Sequence, residues 1–510
     1  MKKLALSVAA FVAAAPLILA SGTAFAATTY TPVMVKQFNT EGDTNFSVDS
    51  IVPVNDSVAV VQLDNNDLWL TDGTAAGTTE LETRATADGL ENWDFYNSPW
   101  EVSAVSNGAG ELYFFGYGIA DDEWNVWSFD GTVFDQVTTT GFEAHQGGYF
   151  LGGELYVWGR TAASTVDYIS LNHVETSNGV VDEIIGGNDC DGINDNVDGV
   201  VLVNGRIVFN NDESSNCDYR LLSWDPANPA AAPVDLGAAT NAVADDFDGW
   251  ESRVVFEGEL YFSGQHDSLG NELWATDGTV AGTRFVKDIS TGSNSSNPGD
   301  RGELWFTEFA GELYFGANDG VNDAVLWKTD GTTGGTVVAV PDSINVGDCV
   351  EYPGLVVGDR LFTDFDCEFA VYDGTTATVL TDDSGGMCYN WCAVPVLFDS
   401  YIFFAHYDGT NNSMWVTDGT VAGTAEVTNF GDEYAIAGNN EFAFVKVGSR
   451  LMFGVDDQFD DGGTDEIALY SIGGAALADT GANLDGLAIA GLVAVVAGAG
   501  VYAMRRRANA

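Results

Sequence analysis

Carboxylates are the side chains of this sequence with the clearest capacity for chemistry, and they are dense between Asn188 and Gly199. The aspartates of this stretch are Asp189, Asp191, Asp195 and Asp198. Carboxylate oxygens are the ligands that hard cations such as Ca²⁺ prefer. The stretch is therefore a candidate calcium site, and the alternative is an acidic loop that is simply solvated. A second acidic stretch, Asp456 to Glu466, has no clean ligand spacing.

The spacing inside the first stretch allows a comparison with known calcium loops. It resembles the D-x-D-G-x-x-D loops of thrombospondin-type repeats. It departs from an EF-hand, because the fifth position counted from Asp189 is a ligand there and is Ile193 here. The resemblance implies Ca²⁺ as the only cofactor that we expect.

Signals for catalysis are weak. The four histidines, His145, His173, His266 and His406, show no H-x-x-x-H or H-E-x-x-H spacing, and no G-x-S-x-G motif occurs. The run from Ser128 to Gly131 resembles the Asp-box of sialidase propellers but lacks its trailing Gly-x-x-Trp, and it fits a hairpin better. A glycosidase needs only two suitably spaced carboxylates. We therefore expect a protein that is not an enzyme, with a secreted glycosidase or lyase as an alternative.

One repeated stretch organises the elements that would position these residues. Glu272 to Thr283 reads E-L-W-A-T-D-G-T-V-A-G-T, and close copies begin at Asp67, Val325 and Ser413. Apolar residues alternate up to Asp-Gly, a dipeptide that tolerates the positive φ angles of a tight hairpin turn. The aspartates are most simply turn residues, and they are Asp72, Asp130, Asp277, Asp330, Asp373 and Asp418. Spacings of about 43 to 58 residues between neighbouring copies indicate a repeat protein.

Each repeat predicts four short strands, and about nine units lie between Val52 and Ile472. Such units predict an all-β fold, a β-propeller with four-stranded blades. Because known propellers usually have four to eight blades, we expect about eight, with seven or nine left open. The last unit lacks a fourth strand, which Thr31 to Phe38 could supply to close the ring. The alternative architecture is an open array of sheets with unprotected edges.

The E-L-W-x-T-D-G-T-x-x-G-T repeat resembles the hyalin-like, propeller-type repeat of secreted bacterial surface proteins. It covers most of residues 27–475. The resemblance implies the fold and an extracellular location. It implies no reaction, so function has to be argued from sites.

Both ends of the sequence carry processing signals. Residues 1–26 form a signal peptide, with a basic start, an apolar run and the cleavage site Ala24-Phe25-Ala26. Residues 476–510 resemble the sorting signal of sortase substrates: an L-A-x-T-G variant of L-P-x-T-G, an apolar span and three arginines. The pentapeptide consists of Leu477, Ala478, Asp479, Thr480 and Gly481. The resemblance implies that sortase joins Thr480 to a Gram-positive cell wall, and the alternative is a plain membrane anchor.

The charge balance limits the partners. The formal net charge is −58, which argues against nucleic acid and against anionic membrane surfaces. We expect a membrane contact only through the C-terminal span before processing. Removing residues 1–26 and everything from Gly481 onward takes away two Lys, three Arg and Asp485, which leaves 13 basic and 75 acidic residues. The acidity therefore belongs to the folded domain.

The six cysteines fall in connections that would emerge on one face of the propeller. These connections join the second strand to the third, or the fourth strand to the first strand of the next unit. An even number of cysteines behind a signal peptide implies disulfides. The sequential pairing fits this topology, and it joins Cys190 to Cys217, Cys349 to Cys367, and Cys388 to Cys392.

Aromatic rings are expected on the same face, where they could stack on sugars or anchor a protein. These rings are Trp93, Tyr96, Trp100, Tyr389 and Trp391. The alternative for each ring is packing between blades. We therefore hypothesise a cell-wall-anchored, non-catalytic binding or adhesion module for a glycan or a surface protein. A structural surface-layer component without a specific ligand is the alternative that burial of the tryptophans would favour.

Overall fold

The strands of the chain form a nine-bladed β-propeller in a computed structural model. The structure describes residues 30–38, 48–63, 67–94, 104–120, 123–139, 142–161, 170–185, 200–212, 219–237, 242–244, 253–266, 268–299, 305–321, 325–339, 354–365, 368–381, 394–407, 412–431, 434–437, 444–457 and 467–473. The predicted signal peptide and sorting signal lie outside these residues. Within them, the nine sheets are all antiparallel and each holds four or five strands.

The first three blades follow the N-terminal strand β1 (Val33–Gln37). Blade 1 contains β2 (Val48–Asn55), β3 (Val58–Leu63), β4 (Leu68–Thr71) and β5 (Thr79–Glu80), followed by helix α1 (Glu82–Asp88). Blade 2 contains β6 (Leu90–Asp94), β7 (Ala104–Ser106), β8 (Leu112–Gly118), β9 (Glu123–Phe129) and β10 (Phe134–Gln136). Blade 3 contains β11 (Phe142–Leu151), β12 (Glu154–Thr161), β13 (Ser170–Glu175) and β14 (Val180–Ile185).

The middle three blades continue in chain order. Blade 4 contains β15 (Val201–Val203), β16 (Arg206–Asp212), β17 (Tyr219–Trp224) and β18 (Val234–Asp235). Blade 5 contains β19 (Ala242–Ala244), β20 (Arg253–Phe256), β21 (Glu259–His266), β22 (Gly270–Thr276) and β23 (Arg284–Lys287). Blade 6 contains β24 (Thr307–Phe309), β25 (Glu312–Ala317), β26 (Val325–Thr329) and β27 (Val337–Val338).

The last three blades complete the ring. Blade 7 contains β28 (Leu355–Val357), β29 (Arg360–Phe365), β30 (Glu368–Tyr372) and β31 (Ala377–Val379). Blade 8 contains β32 (Val396–Phe398), β33 (Tyr401–Tyr407), β34 (Asn412–Thr417) and β35 (Ala425–Gly431), with a short 3-10 helix (Val421–Gly423) before β35. Blade 9 contains β36 (Tyr434–Ala437), β37 (Val445–Val447), β38 (Arg450–Asp457) and β39 (Ala468–Gly473), together with β1.

The N-terminal strand closes the ring, which confirms the predicted closure. β1 pairs antiparallel with β39, from Val33 opposite Ser471 to Gln37 opposite Ala468. Blade 9 then meets blade 1, where the backbone N–H of Gly448 donates to the carbonyl of Asp56 at 2.6 Å. The open array of sheets is therefore wrong. The blade count is nine, one more than the number that we favoured and within the range that we left open.

Apolar clusters join every neighbouring pair of blades among the described residues. Strands with the E-L-Y-F pattern place large side chains on both faces, so each sheet packs on two neighbours. For example, Val447 of blade 9 and Val61 of blade 1 share the cluster at the ring closure. First strands of neighbouring blades touch, as β2 touches β7 and β37. The first strand of each blade is therefore nearest the axis.

The Asp-Gly turns lie where the sequence predicts, between the third and fourth strands, but their geometry differs from a tight hairpin. In blade 5 the Oδ1 atom of Asp277 accepts hydrogen bonds from the backbone N–H and the hydroxyl of Thr279, at 2.9 and 2.7 Å. Only the following Gly278 has a positive φ, of 86°. A methyl group at Gly282 would overlap the Asp277 carboxylate. The aspartate is therefore an acceptor that shapes a seven-residue turn, and the second glycine makes room for it.

Tight two-residue turns occur instead between the first and second strands. Asn204 and Gly205 both have positive φ, of 49° and 81°, and so do Ala310 and Gly311, of 54° and 82°. Positive φ at both central residues matches the right-handed twist of the flanking strands. We did not predict these turns. Ala-Gly is a weak signal for them, whereas Asn204-Gly205 is a strong signal that we did not use.

Arginines contact the long turns of the following blade. The Nη1 atom of Arg284 donates to the carbonyl of Gly331 at 2.9 Å, and that of Arg360 donates to the carbonyl of Gly419 at 3.0 Å. The stems of Arg206 and Arg450 lie beside Gly278 and Gly73, the turn glycines of the next blades. All four copies of the complete D-G-T-x-x-G-T turn thus lie beside an arginine of the preceding blade.

We expect Arg360→Met to lower the free energy of unfolding by about 1–2 kcal/mol, because the variant loses a charge-assisted hydrogen bond to a turn carbonyl. Arg84→Met is the matched control, since Arg84 is exposed on α1. Chemical denaturation of both variants checks the prediction. Equal losses in the two variants would show that net charge, and not the contact with Gly419, is responsible.

Candidate functional site

The two faces of the ring are built differently. One face, here the turn face, carries the connections from first to second strand and from third to fourth strand. The other, here the loop face, carries the connections from second to third strand and from each fourth strand to the next blade. Every segment between residues 39 and 466 that lies outside the described residues is either a loop-face connection or an interruption of a first strand. The long connections are therefore on the loop face.

Both ends of the described chain lie at the turn face. β39 is the third strand of blade 9, so Gly473 lies where the other blades have their Asp-Gly turns, opposite Arg450 at the start of β38. β1 runs antiparallel to β39 and begins at Val33 on the same side. The described chain therefore ends on the side of the ring away from the loop face.

The first strand is interrupted in three blades of the described chain. In blade 2, Asp94 and Ala104 pair with the neighbouring residues Phe115 and Phe114 of β8, although nine residues separate them in sequence. Blades 5 and 9 show the same break between β19 and β20 and between β36 and β37. The chain therefore leaves the sheet three times at its edge nearest the axis.

Trp93 does not occupy the exposed position that we expected. Its side chain is 5% exposed and belongs to the apolar cluster between blades 1 and 2. β6 extends the first strand beyond the break, and this places Trp93 inside the sheet instead of in a loop. Tyr96, Trp100, Tyr389 and Trp391 lie outside the described residues. The first two belong to the break in blade 2, and the last two belong to the loop-face connection between blades 7 and 8.

The predicted calcium ligands also lie outside the described residues. Asp189, Asp191, Asp195 and Asp198 belong to the loop-face connection between β14 and β15. Of the second acidic stretch, the described part is Asp456 and Asp457 at the end of β38. Within the described ranges, no group of three or more His, Cys, Asp or Glu side chains could hold a metal ion.

The six cysteines lie outside the described residues, but the strands around them fix their connections. Cys190, Cys349, Cys388 and Cys392 follow fourth strands, and Cys217 and Cys367 follow second strands. All six therefore belong to loop-face connections, as the sequence predicts. Their pairing stays a prediction.

The turn aspartates have structural surroundings. Hydrogen bonds from Thr74 lower the pKa of Asp72, and those from Thr132 lower the pKa of Asp130. Asp130 belongs to the run that resembles an Asp-box, and its Oδ1 atom accepts from the backbone N–H groups of Thr132 and Val133. These contacts make it a turn residue, as we predicted.

Glu272 is a buried carboxylate that we did not single out from the sequence. It precedes Leu273 and Trp274 in β22 of blade 5 and is 0% exposed. Its carboxylate accepts from the backbone N–H of Ile289 at 2.7 Å, from that of Ser290 at 3.1 Å and from the Ser296 hydroxyl at 2.7 Å. It therefore holds the root of the loop-face connection between blades 5 and 6. The sequence did contain a sign of this connection, since Ser and Asn residues are dense after Asp288.

Other blades use the same position in the same way. Asn125 precedes Val126 and Trp127 in the third strand of blade 2, and its side chain accepts from the hydroxyl of Thr138 at 3.0 Å. Glu368 has the corresponding position in blade 7 and accepts from the hydroxyl of Thr381 at 2.7 Å. This polar residue thus ties the third strand to the chain that follows the fourth strand.

Burial outweighs the three hydrogen bonds and raises the pKa of Glu272 to about 7, from 4.5. Because the folded pKa is the higher one, the resulting stabilisation is complete below pH 4.5 and is lost as pH rises through 7. We expect the stability of the wild type relative to Glu272→Gln to fall across this interval. Thermal melts of both proteins between pH 4 and 8 measure it, with the exposed Glu80→Gln as the control. A stability difference that does not change with pH would contradict the raised pKa.

The described histidines and carboxylates do not form a recognisable catalytic arrangement. The Nε2 atom of His173 lies 3.0 Å from the Glu154 carboxylate on the flank of blade 3. His266 contacts Ser268, and His406 packs beside Trp415 in blade 8. His173, His266 and His406 lie in three different blades. Among the described residues there is also no helix that is long and apolar enough to span a bilayer.

Comparison with known proteins adds distant likenesses of fold. The sequence matches no protein-family profile and no curated protein. The chain is similar to puromycin hydrolase, at 13% identity and a TM-score of 0.36, over 78% of this chain and 56% of that chain. It is also similar to the β-propeller domain of the Trilobed protease from Pyrococcus furiosus, at 10% identity and a TM-score of 0.36, over 76% of this chain and 97% of that chain. A third likeness is to the Dos1 propeller, at 9% identity and a TM-score of 0.38, over 87% of this chain and 95% of that chain.

These likenesses are too distant to carry an inference about activity. The chain spans little more than half of the length of puromycin hydrolase. The assignment as a propeller stands on the nine antiparallel sheets and their closure by β1.

Proposed function

We propose that this chain is a non-catalytic binding propeller of the bacterial cell surface, tethered through its C-terminal tail, which holds a glycan or a surface protein on its loop face. The proposal rests on one observation: the end of the described chain and the long connections lie on opposite faces of the ring. The chain leaves the ring at Gly473 on the turn face, and the long connections are on the loop face. A tether beyond Gly473 would therefore direct the loop face outward, away from the wall.

The charge of the loop face restricts the ligand. Between residues 39 and 466, the loop-face connections outside the described residues contain 29 acidic side chains and one basic side chain, Arg301. A surface with this balance repels anionic ligands and favours neutral or cationic ones. The ligand class that fits is a neutral glycan or a protein with a basic surface.

The polar groups with the clearest geometry in the described chain serve the fold. Asp277 shapes a turn, Arg360 contacts the next blade, and Glu272 holds the root of a connection. These groups therefore belong to the scaffold, and the proposed binding rests on the connections of the loop face.

Binding is tested with the secreted domain on glycan arrays and on cells that display candidate surface proteins. We expect Trp391→Ala and Trp100→Ala to weaken binding about tenfold or more, because aromatic anchors on binding surfaces contribute 2 kcal/mol or more. Val421→Ala is the matched control, since Val421 is exposed on the turn face. Repeating the assay with Ca²⁺ and with a chelator tests whether the loop with Asp189 and Asp198 contributes a cation.

The same assay separates the alternatives. Binding that survives both tryptophan changes would contradict the proposed site. Cleavage products from a bound glycan would indicate a glycosidase or lyase. Absence of any ligand, in a protein that is linked to the wall, would favour a structural surface-layer component.

The tether is tested by cell fractionation. We expect Thr480→Ala to move the protein out of the fraction that cell-wall hydrolases release, because the proposed linkage forms at Thr480. Asp479→Asn is the control, since it occupies the variable position of the L-A-x-T-G motif. Wall linkage that persists in Thr480→Ala would contradict tethering by sortase.

A further inference from the structure

The strand that leads to the C-terminal tail lies in the interior of its sheet. β39 pairs with β38 along one edge, from Arg450 opposite Gly473 to Val455 opposite Ala468. Along its other edge it pairs with β1, up to Val33 opposite Ser471. The last described strand is therefore hydrogen-bonded on both sides, and β1 takes the edge position that the fourth strand has in the other blades.

The strand β1 is itself held by the blades on either side of blade 9. Tyr30, just before it, packs edge-on against Phe403 of blade 8, with ring centroids 5.1 Å apart. Lys36 places its Nζ atom 4.4 Å from the ring centroid of Trp69 in blade 1. Phe38 packs on the same tryptophan at 5.4 Å. The N-terminal segment thus spans blades 8, 9 and 1.

The direction of the strands decides how this arrangement responds to a pull. A force that draws Gly473 away from the turn face while the loop face is held lies along β39. β39 must then slide past β38 and past β1 at the same time, because all three strands lie along the direction of the force. A force that separates Val33 from Gly473 acts across the strands instead, and it opens the pairs between β1 and β39 one after another. The first geometry loads many hydrogen bonds at once.

We propose that β1, β38 and β39 form a load-bearing clamp, which keeps the ring closed when a ligand on the loop face pulls against a tether at the C-terminal tail. This inference rests on the proposed tethered binding function. It applies where the ligand on the loop face is fixed to another surface, so that the bond between them carries tension. It assigns to the N-terminal strand a mechanical role in addition to ring closure.

Single-molecule force spectroscopy tests the clamp in one protein with two pulling geometries. Both tagged proteins carry a handle after Ala475. The axial protein carries the second handle between Asn65 and Asn66 on the loop face of blade 1, and the peeling protein carries it after Ala27. Force-driven unfolding reports the barrier to leaving the native state. We expect the axial unfolding force to be about twofold or more above the peeling force at the same loading rate.

Two controls keep the result decisive. Melting temperatures of the tagged proteins are compared with that of the untagged chain. If the handle at Asn65 lowers the melting temperature, the handle is placed between Gly409 and Thr410, on the loop face of blade 8. Tyr30→Ala is expected to lower the axial force, because the packing of Tyr30 on Phe403 holds the start of β1 against blade 8.

Different results would overturn the clamp proposal and the tether proposal. Axial and peeling forces that are equal would overturn the clamp, even for a protein that is linked to the wall. A protein that never enters the wall fraction would overturn the tether, and the force measurement would still decide how β39 bears load. An axial force that Tyr30→Ala leaves unchanged would show that the contact with blade 8 takes no part.

Discussion

Closure of the ring by a strand from the opposite end of the chain is the constraint on which the rest of the structure depends. Blade 9 takes its inner strands from the last part of the described chain and its outermost strand from the first part. Each apolar cluster needs two sheets, so a ring that is not closed leaves cluster surface exposed on blades 1 and 9. The contacts of Tyr30 and Phe38 show that the closing segment is held by more than its strand pairing.

The chain has few basic residues, and their positions show where the fold needs a positive charge. Only 13 basic residues remain once the terminal signals are removed, and Arg206, Arg284, Arg360 and Arg450 all lie beside a long turn of the next blade. A long turn gathers carbonyls and a carboxylate, and a guanidinium beside it offsets both. Arg206, Arg360 and Arg450 begin second strands. In blade 5 the second strand begins with Glu259, and the arginine that contacts the next turn, Arg284, begins the fourth strand. These four arginines thus follow the distribution of complete turns.

Sequence periodicity predicted the fold well, because each blade repeats the same alternation and the same turn. The count of units, the closure by Thr31 to Phe38 and the faces of the cysteines follow from it. The position of Trp93 did not, because the break in a first strand depends on pairing with β8, which no local pattern encodes. The role of Glu272 was also missed, since a polar residue before Leu-Trp is equally consistent with an exposed strand end. Of the candidate site, the sequence therefore predicted the face but not the burial of individual side chains.

The two faces differ in how much freedom they leave to the sequence. On the turn face, each complete turn needs Asp, Gly, Thr and a second Gly at fixed spacing, because hydrogen bonds and a close approach determine all four. On the loop face, the fold requires only that a polar residue such as Glu272 ties down the root of a connection. Length and composition beyond that root are free to vary. The repeat that makes the chain recognisable therefore lies on the side where function is not expected. The residues that would select a ligand lie in connections that the repeat does not constrain.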